Sequence, residues 1–150
     1  MSVFYLKSEP HITIIAPIDG EVLPYNETDL SETQEYLSIL AVSNTVFSPL
    51  NGTLTDISVD RKQYTVTGTN GEKITIRLCL DNATVESAPI IGQKITVGEP
   101  IIRLSGDGRS PNGHTNILTL ILDNSDEFRA ITVFEGKCYS GETEIMSFCR

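Results

Sequence analysis

The side chains that could do chemistry in this sequence are few, because its 150 residues include two histidines, His11 and His114, and three cysteines. Histidine is the usual general base and a common metal ligand, and a cysteine nucleophile normally needs a histidine as its base. His11, His114 and Asp107 are enough in number for a zinc site of two histidines and one carboxylate. Nothing in their spacing brings the three together, so we interpret the histidines as unrelated polar residues at strand ends.

Three other stretches contain residue types that occur in catalytic or ligand-binding sites, and for each of them a purely structural role is the simpler interpretation. Cys79 lies in an apolar stretch with no histidine at a suggestive spacing, which favours a buried core thiol over a nucleophile. Gly106–Arg109 is glycine-rich, but it lacks the Lys-Ser/Thr ending and the following helix of a phosphate-binding loop. Glu27–Glu35 is acidic without the ligand pattern of a calcium loop, so it is interpreted as a solvated face. We therefore predict neither a metal site nor a cofactor.

The elements that position these residues are predicted to be β-strands. Polar and apolar residues alternate over 64–67 and 73–78 on either side of Asn70-Gly71, which predicts a hairpin with one buried face. Residues 116–123 are apolar enough for a strand that is covered on both faces. Residues 24–38 are polar and acidic, and they fit a solvated loop or a single helical turn. Because no segment has a sustained 3.6-residue apolar period, the fold is predicted to be all-β, in one domain over residues 1–150.

One local pattern occurs twice in the chain. Ala16–Val22 (APIDGEV) and Ser48–Leu54 (SPLNGTL) share a small residue, a proline, an aliphatic residue, Asp or Asn, glycine, a polar residue and an aliphatic residue. Ala88–Gly92 is a fainter third copy. The repeat is too short for a solenoid and predicts a duplicated strand–turn–strand unit.

The composition excludes several classes of function. A net charge of −9 and the lack of any basic cluster argue against nucleic acid as a partner, since phosphate binding needs clustered Lys and Arg. No apolar run approaches the roughly 20 residues of a membrane helix. The N-terminus has no basic start followed by a long apolar core, which argues against a signal peptide. We expect a protein that is cytoplasmic on synthesis, with reduced thiols and no membrane span.

Five short motifs follow one another in a fixed order along the first two thirds of the chain. They are Ala16–Pro24 (APIDGEVLP), Ser48–Thr53 (SPLNGT), Asn70–Ile76 (NGEKITI), Ala83–Val85 (ATV) and Val97–Ile102 (VGEPII). In this order they resemble glucose-specific enzyme IIA, the phosphocarrier domain of the sugar phosphotransferase system. The resemblance covers about residues 15–104 and implies a barrel-sandwich built from a duplicated hybrid motif. Residues 105–150 are then a C-terminal extension that adds further strands.

The loop Gly106–His114 (GDGRSPNGH) resembles a second family of the same superfold. In lysostaphin-type zinc endopeptidases, a Gly-x-Thr-Gly-x-Ser-x-Gly-Pro-His loop precedes a strand that carries His-x-His. These peptidases also continue with a further strand where the phosphocarrier ends, as this chain does. The two resemblances place the chain in the superfold without assigning it to either enzyme family.

The histidines that a phosphocarrier requires are missing. Such a protein needs two facing histidines, and the matched positions hold Gln63 and Arg77. Glutamine is not a phosphoryl acceptor, and arginine is always protonated and so is not a nucleophile. We expect no phosphocarrier activity at these positions.

The residues that a zinc endopeptidase requires are missing as well. The resemblance calls for an Asp four residues after the first His, but Ile15 lies four residues after His11. It also calls for His-x-His, whereas the strand reads His114-Thr115-Asn116, and Leu78 or a neighbour replaces the histidine after the central hairpin. No catalytic residue is predicted, and the protein is expected not to be an enzyme.

Three functions remain open from the sequence. The preferred hypothesis is a non-catalytic structural or assembly module, such as a bacteriophage tail or baseplate component in a virion, with protein partners in a homo- or hetero-oligomer. The first alternative is a small-molecule-binding or sequestering protein that uses the former active-site groove, with Gln63, Arg77 and His114 as polar contacts. The second alternative is a divergent zinc endopeptidase.

Overall fold

The computed structural model describes residues 11–24, 35–106 and 116–150. Within these ranges the chain forms fourteen short strands and one 3-10 turn, Ser125–Glu127. The strands are β1 Ile12–Ile15, β2 Gly20–Val22, β3 Glu35–Ala41, β4 Thr45–Phe47, β5 Gly52–Ile57, β6 Gln63–Gly68, β7 Lys73–Cys79, β8 Val85–Ser87, β9 Lys94–Ile95, β10 Pro100–Leu104, β11 Ile117–Leu122, β12 Arg129–Val133, β13 Gly136–Cys138 and β14 Glu144–Cys149.

The strands form three sheets, so the prediction of an all-β fold is confirmed. The largest has eight strands in the order β13-β2-β3-β11-β7-β6-β5-β9, and two three-stranded sheets have the orders β1-β14-β12 and β4-β10-β8. The predicted extra C-terminal strands are also present. Of these, β11 lies in the centre of the large sheet, between β3 and β7.

The predicted central hairpin is confirmed, and its alternation fixes which face is buried. Strands β6 and β7 pair antiparallel around the Asn70-Gly71 turn, where Gly71 has a φ of 87° that glycine adopts readily. On β7 the side chains of Ile74, Ile76 and Leu78 point into the core and are 0–2% exposed. Because successive side chains of a strand point to opposite faces, Thr75 and Arg77 lie on the outer face of the sheet.

The sequence repeat corresponds to a real internal symmetry of the backbone. The amide of Ile15 donates to the carbonyl of Pro49 at 3.0 Å, and the equivalent amide of Phe47 donates to the carbonyl of Pro17 at 2.6 Å. The two copies are therefore joined by a reciprocal pair of hydrogen bonds. This symmetry supports the prediction of a duplicated unit.

The Asp or Asn of each copy performs the same task in its half of the fold. The Asp19 carboxylate accepts a hydrogen bond from the backbone amide of Ser140 at 2.8 Å. The Asn51 side-chain oxygen accepts one from the amide of Val97, also at 2.8 Å. Each side chain thus fixes a turn from a distant part of the chain, which explains why the repeat keeps Asp or Asn at this position.

The prediction for residues 24–38 is wrong over its last part. Strand β3 begins at Glu35, pairs with β2 and β11, and buries Tyr36 and Leu37. Because Tyr36 and Leu37 point to opposite faces and are both buried, the start of this strand shows no clear alternation in the sequence. Residues 25–34, where the helical turn was predicted, lie outside the described residues.

The prediction that Cys79 is a buried core thiol is also wrong. It is the last residue of β7 and is exposed on the outer face, two residues beyond Arg77. Cys138 and Cys149 are buried, and all three cysteines are free. In the described parts of the chain, no helix is long and apolar enough to cross a membrane.

Candidate functional site: an arginine row on the outer face

Four polar side chains stand side by side across the four central strands of the large sheet. Register places Arg77 of β7 directly opposite Gln63 of β6 on one side and Thr119 of β11 on the other. Thr119 is in turn opposite Ser38 of β3, and their hydroxyls share a hydrogen bond of 2.9 Å. We call Gln63, Arg77, Thr119 and Ser38 the Arg77 row.

Arg77 is the charged centre of this row and is only partly exposed. Its Nε is buried and has no hydrogen-bond partner among the described residues. An N–H group removed from water without a partner is unfavourable, and arginine stays protonated at any physiological pH. The row therefore contains a fixed positive charge with an unused donor.

A second polar row, one step along the strands, ends in a carboxylate. The hydroxyls of Thr65 and Thr75 lie 2.8 Å apart, and the Thr75 hydroxyl donates to the Asp123 carboxylate at 2.6 Å. Burial raises the pKa of Asp123, and the Thr75 hydrogen bond and the charges of Lys73 and Arg77 partly oppose that rise. Arg77 thus acts on Asp123 through space, while the direct contact of Asp123 is with Thr75.

The arrangement can bind an anion, but it cannot carry a phosphoryl group on the two predicted residues. Transfer to nitrogen needs a lone pair that is free to attack, which the guanidinium of Arg77 and the amide of Gln63 do not provide. Both groups are instead hydrogen-bond donors, and guanidinium matches the oxygens of phosphate and carboxylate. The side chains of the Arg77 row are therefore suited to binding an anion and not to transferring a group.

The structure brings two of the three predicted ligand-binding residues together. Gln63 and Arg77 are direct cross-strand neighbours, whereas His114 lies outside the described residues. The described histidine, His11, precedes β1 in a different sheet, where its Nδ1 lies 3.5 Å from the Cys149 sulfur. Among the described residues, no three His, Cys, Asp or Glu side chains form a group that could hold a metal ion.

A comparison with solved structures identifies the fold. The chain superposes on glucose permease IIA from Mycoplasma capricolum with a TM-score of 0.72, covering 97% of this chain and 99% of that one at 17% identity. The chain has the IIA fold. The predicted resemblance to glucose-specific enzyme IIA is confirmed at the level of structure, and the resemblance to lysostaphin-type peptidases stays a prediction.

Sequence comparison points to the same group of proteins. The chain is 24% identical to the glucose-specific EIIA component of a PTS system from Oceanobacillus iheyensis, over 97% of this chain and 96% of that protein. It is 22% identical to the corresponding Staphylococcus aureus component, over 90% and 88%. It also matches the N-acetylglucosamine-specific EIICBA component of Klebsiella pneumoniae at 22% identity, although it spans only 22% of that protein's length. No family model matches the chain.

These relatives correct the functional prediction. The hypothesis of a bacteriophage tail or baseplate module is wrong, because the matching proteins are components of sugar phosphotransferase systems. The prediction of a structural protein in a virion is wrong for the same reason. The hypothesis had rested on the missing histidines and on analogy between folds, and fold does not determine function.

No pattern in the sequence indicates that Thr119, Ser38 and Asp123 lie near Arg77. Alternation along residues 116–123 is enough to place the Thr119 side chain on the other face of the strand from the buried Leu118 and Leu120. The pairing of β11 with β7 and β3 could not be predicted in the same way, since it joins segments about 40 or more residues apart that no single turn connects.

Proposed function

We propose that the chain is a IIA-like component of a sugar phosphotransferase system that acts by binding a protein partner and does not carry a phosphoryl group. The alignment of this chain with EIIA components over nearly its whole length supports the first part. The observation that carries the second part is the register of Gln63 and Arg77, which places two residues without an attacking nitrogen side by side.

A surface for the partner lies at one end of the Arg77 row. The backbone amide of Ser58 donates to the Gln63 carbonyl at 2.9 Å, so the turn that follows β5 continues the row at the edge of the sheet. Val59, Ile90 and Ile91 are 104%, 71% and 59% exposed there. We call these three residues the edge patch.

The apolar side chains of the edge patch indicate the chemistry of the partner. The patch borders a cavity of about 380 Å³ that is also lined by Arg61. The exposed charges beside it have both signs, since Asp60 precedes Arg61 and Lys62 follows it. Exposed apolar side chains that lie together favour a protein surface with apolar anchors. We therefore propose an apolar face of another phosphotransferase component as the occupant.

Intact-mass measurement tests the proposal. The chain is incubated with the phosphorylated donor protein of a phosphotransferase system, and the product is weighed without acid. We expect no gain of a phosphoryl group. An Arg77→His variant is the matched control, because it returns an attacking nitrogen to the row. Stoichiometric phosphorylation of the unchanged chain, on His11 or His114, would contradict the proposal.

A further inference from the structure

We infer that a small cavity beside the β6–β7 turn binds a monovalent metal cation, with the carboxylate of Glu72 as its anchor. The cavity has a volume of about 190 Å³ and is lined in part by Thr13 and Glu72. Glu72 is buried on the inner side of the large sheet, as Ile74 is, while Lys73 between them is exposed on the outer side. The cavity, which we call the Glu72 cavity, is therefore separate from the Arg77 row, and the inference does not rest on the proposed function.

The first argument is that the Glu72 carboxylate is buried without a counter-charge. The residue is only 2% exposed. Its Oε1 accepts a hydrogen bond of 3.0 Å from the backbone amide of Asn70, and no ion pair with Glu72 is found among the described residues. A carboxylate that is removed from water is strongly unfavourable in its ionised form unless it is paired or binds a cation. A bound cation would supply the missing charge.

The cationic side chains around the turn are engaged elsewhere. Lys73 is exposed on the other face of the sheet. The Arg150 guanidinium donates through Nη2 to the Asn70 carbonyl at 3.1 Å and also lies over an aromatic ring. His11 lines the Glu72 cavity, but its Nδ1 lies 3.5 Å from a cysteine sulfur. None of these three neutralises Glu72 by a direct ion pair.

The second argument is that an ion in solution can reach the carboxylate. Two side-chain atoms of the described residues are buried with no hydrogen-bond partner, and Oε2 of Glu72 is not one of them. Since Glu72 lines the cavity, this oxygen keeps contact with the solvent there. Thr69 and Asn70 line the same cavity and are exposed, so it opens to the surface.

The third argument is a backbone carbonyl that faces the same space. Strand β1 is at the edge of its sheet and pairs only with β14. The amide of Ala16 bonds on the β14 side, to the Thr143 carbonyl at 2.8 Å. The amide of Ile15 points the other way and donates to the Pro49 carbonyl at 3.0 Å. Because backbone groups alternate along a strand, the carbonyl of Thr13 also points away from β14, on the side of the cavity.

The chemistry of the cavity wall selects the class of cation. Carboxylate, carbonyl, hydroxyl and amide oxygens are the ligands of hard cations. Calcium sites in proteins usually combine several carboxylates, whereas Glu72 is the one acidic side chain in the described wall. A single carboxylate is balanced by a single positive charge, so Na⁺ or K⁺ fits better than a divalent ion.

The size of the cavity agrees with a small ion. Its volume of about 190 Å³ holds roughly six water-sized groups, which is enough for a cation that keeps part of its hydration shell. It is below the roughly 300 Å³ at which pockets for organic ligands begin.

The melting temperature in different chloride salts tests the site. Strand β1 and the β6–β7 turn belong to different sheets, so an ion held between them binds the native state and not the unfolded chain. The protein is dialysed into tetramethylammonium chloride, whose methyl groups keep oxygen ligands away from the charge, and is then compared in NaCl and KCl at equal ionic strength. We expect Na⁺ or K⁺ to raise the melting temperature, with saturation, by at least about 3 °C.

Glu72→Gln tests the anchor. Glutamine keeps the shape of the side chain and an acceptor for the Asn70 amide, but it has no charge. We expect this variant to melt at the same temperature in all three salts. In tetramethylammonium chloride it should melt no lower than the unchanged chain, because the uncompensated charge is gone. Glu86→Gln is the matched control, since Glu86 is an exposed carboxylate on β8, and it should keep the full response to Na⁺ or K⁺.

Three results would overturn the inference. They are equal melting temperatures of the unchanged chain in the three salts, an undiminished response in Glu72→Gln, and a response to MgCl₂ or CaCl₂ alone. If Glu72→Gln does not fold, amide NMR of the unchanged chain decides. Saturable shifts at Thr13 and Asn70 with Na⁺ or K⁺, and not with tetramethylammonium, support the site, and their absence contradicts it. No arm uses a phosphotransferase protein, so failure here leaves the proposed function untouched.

Discussion

At the scale of single residues, two polar groups on opposite faces of the central hairpin share one property. The Tyr64 hydroxyl and the Arg77 Nε are both buried without a hydrogen-bond partner among the described residues. Tyr64 faces the core, where burial raises its pKa, while Arg77 faces the outer row. The hairpin therefore has one unpaired polar group on each side of the sheet.

The core position of Tyr64 leads to a prediction about stability. Tyr64→Phe removes an unpaired hydroxyl and keeps the ring, so the free energy of unfolding should stay unchanged or rise by about 1 kcal/mol. Urea unfolding of the two proteins measures the difference. A loss of more than about 1 kcal/mol would mean that the hydroxyl has a partner and that its burial is compensated.

The cysteines provide a second residue-scale prediction. Burial, with a smaller effect of Asp19, raises the pKa of the Cys138 thiol to about 11, so at pH 8 only about one molecule in a thousand has the reactive thiolate. Iodoacetamide should modify exposed Cys79 and spare Cys138 at pH 8, as followed by peptide mass spectrometry. The Cys138 rate should rise about tenfold for each pH unit up to about pH 11. A similar rate at the two sites would contradict the assigned environments.

At the scale of elements, each copy of the duplicated strand–turn–strand unit contributes one strand to the large sheet, β2 in the first copy and β5 in the second. Gly20 and Gly52 occupy the same place in the two copies, and each begins a strand that pairs closely with a neighbour. A Cβ at Gly20 would meet the carbonyl oxygen of Leu40, and one at Gly52 would meet that of Thr67. Glycine is needed at both places for the approach of the backbone and not for an unusual φ.

Gly52→Ala tests this packing requirement. The methyl group would push β5 away from β6, and we expect a loss of about 2 kcal/mol or more in the free energy of unfolding. Thr53→Ala, on the next residue of the same strand, is the control and should cost under about 1 kcal/mol. Thermal and urea unfolding provide the comparison. Equal costs for the two variants would show that β5 can move without penalty.

Elements with a local signal were predictable from the sequence, and those without one were not. The β6–β7 hairpin follows from alternation around Asn70-Gly71, and the two glycine-containing copies follow from their shared pattern. Strand β3 was missed because its first apolar residues, Tyr36 and Leu37, are both buried and so break the alternation, and because it follows an acidic stretch. Gln63 and Arg77 were matched by resemblance to IIA, but Thr119 joins them only through a long-range pairing.

At the scale of the whole molecule, the Arg77 row leads across the large sheet towards the turn that carries part of the edge patch. The row crosses four strands and ends at the turn that holds Val59. The edge patch places three strongly exposed apolar side chains together, beside charges of both signs. An exposed apolar cluster of this kind suits recognition of a partner.

Substitution in the edge patch should weaken partner binding without changing the fold. Val59→Asp places a negative charge on a fully exposed residue and should reduce affinity for a phosphotransferase donor protein at least tenfold. Val42→Asp is the matched control, since Val42 is 47% exposed and lies away from the patch. Isothermal titration calorimetry compares the two variants. Equal affinities would place the partner on another surface.

We propose that a protein with the IIA fold recognises a partner instead of carrying a phosphoryl group, and the mass of the unchanged chain decides between the two. Intact-mass spectrometry of the unchanged chain after incubation with a phosphorylated donor protein should show no added phosphoryl group, while Arg77→His gains one. A phosphoryl group on the unchanged chain, at the level of the donor, would contradict the account.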